Sequence, residues 1–307
     1  MNLGVRRRQQ PIFTPRSPWP RRLAITAVLA VIVALVVVVA GSSDEREAVS
    51  GGEDVVHVHG LGVNPADGTV FLATHMGLYR LDGGRPERVG SSYQDTMGFT
   101  ITGPDRFLAS GHPDLRDRRL RVEGKPPLLG LVESRDGGAT WEPRSLLGEA
   151  DFHALAANDG RVYGWNASTS ELMVTADMRT WERLSSIELT SFAVDSGDDK
   201  RLVAAAGEGV ITSADGGRSW QPVAGAPALI VVAWGDTGVW GVDRSGAVYQ
   251  SEDGLSWTER ARLQGEPETL DVDGDDLYVA LTEDGRSVVR RSTDQGASWD
   301  VLYRSGG

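Results

Sequence analysis

The chain has 307 residues, 40% hydrophobic and 24% charged, a composition that can bury a core and excludes a disordered or collagen-like chain. It contains no cysteine, which excludes disulfides, thiolate metal sites and thiol nucleophiles. The net charge is -12, although six of the 31 basic residues lie in the first 22 positions, where there is no acid. The rest of the chain is therefore strongly acidic, which argues against nucleic acid as a partner.

The N-terminal segment predicts a membrane anchor. Residues 23–40 (LAITAVLAVIVALVVVVA) carry no charge and are nearly long enough to cross a hydrocarbon core as a helix. The basic tail at 1–22 precedes them and an acidic linker at 41–52 follows. The positive-inside rule therefore predicts a single-pass signal-anchor with a cytoplasmic N-terminus and an extracytoplasmic body. Val38 and Ala40 also fit a peptidase site, so a cleaved signal and a secreted body remain the alternative.

Residues 53–304 are repetitive. Five segments share a Ser/Thr-x-Asp pair that leads into Ser/Thr-Trp, and their Trp residues are 40, 39, 37 and 42 positions apart. Six further segments, two before the first box and one between each pair of successive boxes, have an apolar run, an Asp/Gly/Asn turn and a second apolar run, as in FTITGPDRFLAS. A period near 40 residues with about four short strands predicts an all-β, six-bladed β-propeller of four-stranded antiparallel blades, preceded by one N-terminal transmembrane helix.

The boxes SRDGGATW, TADMRTW, SADGGRSW, SEDGLSW and STDQGASW resemble the Asp-box, or BNR repeat, of sialidases, sortilin-type ectodomains and photosystem II assembly-factor propellers. The acidic residue and Ser of such a box bond turn amides, and its Trp packs the hairpin on its sheet. We therefore expect structural roles for ten residues: Asp136, Trp141, Asp177, Trp181, Asp215, Trp220, Asp253, Trp257, Asp294 and Trp299. DVDGDD at 271–276 likewise predicts a plain hairpin turn in preference to a calcium loop.

Strand parity places the start of each first strand and the end of each second strand at one end of the channel, opposite the boxes. All five histidines fall at this end: His57, His59, His75, His112 and His153. Alignment of the apolar runs puts Asp95, Asp151 and Glu268 beside them. This rim suits a divalent metal, the one cofactor that the sequence suggests, or a cationic ligand. The alternative is that the imidazoles only bond backbone groups.

The second blade is longer than the others, and its surplus lies in a loop at residues 111–130. The loop follows the second strand, on the predicted His-bearing face. It carries the arginines Arg116, Arg118, Arg119 and Arg121. A long charged loop on that face predicts a binding lid, with a solvated surface insertion as the alternative.

The sialidase resemblance implies a glycosidase with three converging arginines, a Tyr nucleophile and a carboxylic acid. The chain lacks the Phe-Arg-Ile-Pro-type motif of that family, and it has no G-x-S-x-G elbow or phosphate loop. Stretches such as HVHGLG and DFHAL give the chain a closer resemblance to exported bacterial proteins named glycosyl hydrolase-like than to sialidases. Catalytic residues are therefore left unassigned. The sequence favours a membrane-anchored propeller that binds a glycan, metal or protein, over a divergent glycoside hydrolase acting on cell-surface sugars.

Overall fold

The computed structural model describes residues 54–158, 160–207 and 209–306. The basic tail, the predicted transmembrane segment and the linker, at 1–52, lie outside these ranges. Within them no helix is long and apolar enough to cross a membrane. The described residues of the unit Gly52–Gly307 form six sheets, each a meander of four consecutive antiparallel strands.

The blades follow one another along the chain, with four strands each. Blades one to three comprise β1 (Val58–Val63), β2 (Val70–Thr74), β3 (Gly77–Asp82), β4 (Arg85–Arg88), β5 (Asp95–Gly103), β6 (Arg106–His112), β7 (Leu131–Ser134), β8 (Glu142–Ser145), β9 (Phe152–Asn158), β10 (Arg161–Asn166), β11 (Glu171–Thr175) and β12 (Glu182–Ser186). Blades four to six comprise β13 (Ser191–Asp195), β14 (Asp198–Ala206), β15 (Gly209–Ser213), β16 (Gln221–Pro222), β17 (Leu229–Gly235), β18 (Gly238–Asp243), β19 (Ala247–Ser251), β20 (Thr258–Arg262), β21 (Glu266–Asp273), β22 (Asp276–Glu283), β23 (Arg286–Ser292) and β24 (Asp300–Arg304).

The first strands of the blades surround a central channel, and β21 lies next to β1, which closes the ring. Each of the six predicted hairpins forms the first two strands of one blade, so the six-bladed prediction is confirmed. The first and last blades are joined by hydrogen bonds from the segment before β1. The backbone N–H of Val55 donates to Tyr303 Oη, and that of His57 donates to Ser287 Oγ, both at 3.0 Å.

The boxes form the hydrogen bonds expected of them. In the first box, Asp136 Oδ1 accepts from the backbone N–H of Thr140 and Oδ2 accepts from its hydroxyl, while Ser134 Oγ accepts from the N–H of Gly138. The box also bonds the turn between the first two strands of its blade, through Gly137 N–H and the carbonyl of Asp105. That turn lies at the end of the hairpin away from the histidines.

The Trp residues of the boxes differ in burial, which the sequence did not predict. Trp141 is 5% exposed and lies in a core shared by blades one and two. The other four are half-buried and pack at the edges of cores between blades. Gly138 has a φ of +88°, and a Cβ there would collide with Leu78 of the preceding blade. Glycine thus lets the first box approach its neighbour closely.

A β-bulge recurs near the start of the first strand in five blades. The register between the first and second strands skips one residue of the first strand each time. The skipped residues are His59, Met97, His153, Ile230 and Glu268. A bulge bends its strand and changes the direction of the extra side chain, and bulges are frequent next to functional sites. Here they ring one mouth of the channel.

Candidate functional site

Four of the five bulge residues line a small cavity of about 100 Å³ at this mouth: His59, Met97, His153 and Glu268. The cavity opens on the channel between the first strands. The remaining histidines lie nearby, because His57 precedes β1, His75 lies in the turn after β2, and His112 ends β6. The structure therefore brings all five predicted histidines to one end of the ring.

Three imidazoles of blade one form a tight group, which we call the triad: His57, His59 and His75. Within the described residues it is the one set of three metal-ligating side chains whose ligand atoms all lie within 4.8 Å of one another. His59 Nε2 is 3.0 Å from His75 Nε2. The rings of His57 and His75 are stacked with centroids 5.4 Å apart, and that of His59 meets both edge-on.

Asp95, at the start of β5, lies between the triad and the histidine of blade two. Its Oδ1 is 2.8 Å from His75 Nδ1, and its Oδ2 is 3.2 Å from His112 Nδ1. Burial acts to raise the pKa of this carboxyl, but the hydrogen bonds from His112 and His75 outweigh it and hold the pKa well below its usual range. Asp95 therefore carries a negative charge at neutral pH.

Glu268 supports the other side of the triad. Its side chain is 4% exposed, and Oε1 is 2.8 Å from His57 Nδ1. Oε1 also accepts from the hydroxyl of Thr282, and Oε2 accepts from the backbone N–H of Val58. Burial acts to raise the pKa of Glu268, but these three donors together lower it. This buried carboxylate thus holds blade six against blade one and orients His57.

The imidazoles have different protonation preferences. Burial, together with the neighbouring His75 and His57, lowers the pKa of His59 to about 3, so its ring is neutral. The hydrogen bond with Glu268 raises the pKa of His57 against the effect of burial. The hydrogen bond with Asp95 does the same for His112. A neutral imidazole thus lies between rings whose Nδ1 atoms are held by carboxylates.

The backbone of His57 is in an unusual conformation, with φ at +60°. Non-glycine residues rarely adopt this left-handed region, and strain of this kind is concentrated at functional sites. The two hydrogen bonds that hold His57, from its N–H to Ser287 and from its ring to Glu268, come from blade six. Closure of the ring therefore holds this conformation, in which the imidazole contacts His59 and His75.

Blade three adds the remaining predicted pair, Asp151 and His153. Asp151 Oδ2 is 3.0 Å from His153 Nε2 and 3.6 Å from His112 Nε2. All eight predicted rim residues therefore belong to one connected group, through hydrogen bonds, ring contacts and the longer approach of His112 to Asp151. Sequence reasoning missed Thr282 and Ser287, which support Glu268 and His57. Their signal was weak, since each is a common hydroxyl residue at a strand end.

The arginine loop begins at this mouth with His112, but its four arginines do not line the cavity there. Leu120 is buried in the core shared by blades one and two, which anchors the loop between them. Arg116 and Arg119 pair with Asp114 and Asp117 and border a groove with Trp141 of the first box. The guanidinium of Arg121 donates to the carbonyl of Leu115 within the loop. A lid role for Arg116, Arg118, Arg119 and Arg121 stays a prediction, and these contacts do not support it.

No family model matches this chain, and no curated protein sequence matches it significantly. Similar solved structures include YCF48 bound to a D1 peptide, with 16% identity, a TM-score of 0.50 and 85% of each chain covered. A GH74 xyloglucanase from Xanthomonas campestris has 17% identity and a TM-score of 0.54 over 83% of this chain and 46% of its own. A gluconolactonase from Xanthomonas campestris has 12% identity and a TM-score of 0.58 over 75% and 84%.

At these identities the similarity concerns the fold alone, and the chain spans slightly less than half of the xyloglucanase. These neighbours are β-propellers of diverse kinds: one in a peptide complex, a xyloglucanase and a gluconolactonase. Their variety agrees with the general rule that function in such folds depends on the local site. The comparisons therefore establish this chain as a β-propeller.

Proposed function

We propose that this chain is a membrane-anchored, extracytoplasmic β-propeller that binds a divalent transition-metal ion at the triad. The observation that carries the proposal is the convergence of His57, His59 and His75, whose ligand atoms lie within 4.8 Å of one another. Imidazole nitrogen is a good ligand for zinc, copper and nickel. Three protein ligands leave a fourth tetrahedral position for water or a bound molecule.

The surroundings of the triad support this assignment. His57 and His75 each present Nδ1 to a carboxylate, Glu268 and Asp95 respectively. In metal sites such a partner fixes the tautomer, so that the other ring nitrogen faces the ion with its lone pair. The two carboxylates also supply negative charge close to the site. Glu268 pairs with His57, and Asp95 pairs with His75 and His112. The triad therefore has both ligands and the groups that orient them.

Zinc binding tests the proposal. The full-length chain, purified in detergent and stripped with a chelator, should bind zinc in a calorimetric titration. His57→Ala combined with His75→Ala should abolish binding at the triad, because one imidazole alone is a weak ligand set. Asp294→Asn, at a box remote from the mouth, should leave zinc binding unchanged. An unaltered titration for the double variant, or the absence of zinc binding by the wild-type chain, would overturn the proposal.

The membrane anchor is proposed from residues 23–40 and from the charge asymmetry around them. Before digestion, the propeller should be recovered in the membrane pellet. Protease added to intact cells should then digest it. Protection from external protease would contradict the orientation. A soluble fragment that begins near Gly41 would show that the signal is cleaved.

We also propose that the five boxes are Asp-box repeats. In each box the acidic residue accepts from the backbone N–H of a residue two to four positions later. This hydrogen-bond pattern, which all five boxes share, supports their assignment as Asp-box repeats.

A divergent glycoside hydrolase remains the second candidate, because carboxylates line the channel mouth and a xyloglucanase shares the fold. Such an enzyme needs one protonated carboxyl beside an ionised one. The pKa values of Asp95 and Glu268 are both lowered, so neither suits the role of the acid. Release of sugar from a cell-surface glycan, lost in Asp151→Asn, would favour this candidate over metal binding alone.

A further inference from the structure

A second set of ligand atoms surrounds Asp151, beside the triad. Asp151 Oδ2 faces the imidazoles of His112 and His153, which belong to blades two and three. Its Oδ1 is buried and has no hydrogen-bond partner among the described residues. A buried carboxylate oxygen without a partner costs free energy, because it has lost its water. A cation bound by both oxygens of Asp151 would remove that cost.

The separation between His112 and Asp151 fits a shared ion better than a direct contact. At 3.6 Å, His112 Nε2 and Asp151 Oδ2 are too far apart for a good hydrogen bond. Two ligands of one tetrahedral zinc ion, each about 2.0 to 2.1 Å from the metal, lie roughly 3.3 Å apart. This set is wider than the triad, whose ligand atoms lie within 4.8 Å of one another, so the half-exposed His112 ring would move toward His153 when the ion binds.

The His112 ring is already oriented for this role. Its Nδ1 is 3.2 Å from Asp95 Oδ2, so Nε2 is the nitrogen that faces Asp151. The other oxygen of the same carboxylate, Oδ1, is 2.8 Å from His75 of the triad. Asp95 therefore orients one imidazole of each set, as supporting carboxylates do in metal sites.

We infer that the mouth binds a second divalent transition-metal ion, at His112, Asp151 and His153, with Asp95 between the two ions. This inference rests on the proposed function, since it adds an ion to the triad site. Two imidazoles and one carboxylate form a ligand set that zinc accepts readily. Together the two sets make a two-ion centre at the end of the channel.

The stoichiometry of zinc tests the inference. The metal-stripped full-length chain is equilibrated with zinc alone, freed of loose ions by gel filtration, and analysed for metal content. We expect two zinc ions per chain. His112→Gln with His153→Gln should retain one ion, and His57→Gln with His75→Gln should retain the other. Glutamine keeps the size of these side chains, and unchanged circular dichroism and melting temperature would show that each variant folds.

The outcomes separate the inference from the proposed function. One ion in the wild-type chain that survives in the His112/His153 variant would overturn the second site and leave the triad intact. One ion that is lost in that variant but kept in the His57/His75 variant would overturn the triad. No bound zinc would overturn both. With copper(II) as a spectroscopic probe, spin coupling between two ions in the wild-type chain, absent from both variants, would support the two-ion centre.

Discussion

Glu268 shows how a single side chain can position a site without being a ligand. It binds the ring of His57, the backbone of Val58 and the hydroxyl of Thr282 from an almost fully buried position. Its place at a β-bulge directs it inward from β21. The consequence is that blade six contributes to the proposed metal site, whose ligands would all belong to blade one.

We expect Glu268→Gln to weaken zinc binding at the triad by about 10- to 100-fold, the usual effect of removing a carboxylate that orients a metal-ligating histidine. An amide accepts less strongly from the ring of His57 and no longer favours its Nε2 as a ligand. The matched control is Glu266→Gln, on the same strand, where Glu266 is exposed and pairs with Arg244. Calorimetric titration checks both variants. Equal affinities would show that Glu268 is only structural.

The boxes are the recurring elements that hold each blade together. Ser134 is buried and accepts from the backbone N–H of Gly138, while Trp141 fills the core between blades one and two. These contacts lie at the end of the blade opposite the channel mouth, because the box bonds the turn between the first two strands there. Changes in a box should therefore alter stability and leave the proposed metal site unaffected.

Trp141→Ala should lower the free energy of unfolding by about 3 to 5 kcal/mol, the cost of removing a buried aromatic ring. Ser134→Ala should lower it by about 1 to 3 kcal/mol, because the buried N–H of Gly138 loses its acceptor. Trp220→Ala should cost less than Trp141→Ala, since Trp220 is half-buried. Chemical denaturation measures all three. A loss of zinc affinity in folded Trp141→Ala would contradict the structural role of the box.

The ring encloses a channel, and the channel is lined by a carboxylic acid whose pKa is strongly raised. Asp271, in β21, lines a cavity of about 450 Å³ together with apolar side chains from all six first strands. Burial raises the pKa of Asp271 to about 7, against the effect of the nearby N–H of Val272. The folded state therefore holds the proton more tightly than the unfolded chain does.

Because the pKa of Asp271 is higher in the folded state, its contribution to stability is complete below about pH 4 and is lost as the pH rises through 7. The slope is at most about 1.4 kcal/mol per pH unit. Asp271→Asn should remove this component, so the stability difference between variant and wild type should shift in favour of the variant from pH 4 to pH 8. Asp275→Asn, in the exposed turn, is the control. Parallel stability curves for Asp271→Asn and wild type would contradict the prediction.

Local patterns were enough to predict the architecture. Each hairpin pairs apolar runs across a turn rich in Gly, Asn and Asp, and these preferences act over a few residues. The alternation of strand direction within a blade placed the five histidines at one end of the channel. Their observed contacts through Asp95 and Asp151 agree with that placement. The metal-binding role assigned to them stays a proposal until zinc binding is measured.

Other features depend on contacts between residues distant in the chain. The left-handed conformation of His57 is maintained by Ser287 and Glu268, more than 200 positions away. The arginine loop is anchored between blades by Leu120 and Leu129, two apolar residues with no distinguishing local pattern. The fold could thus be predicted from periodic local preferences, whereas the geometry around His57 at the mouth depends on closure of the ring. Closure alone brings the first and last blades together, and it alone lets Ser287 and Glu268 of blade six meet His57.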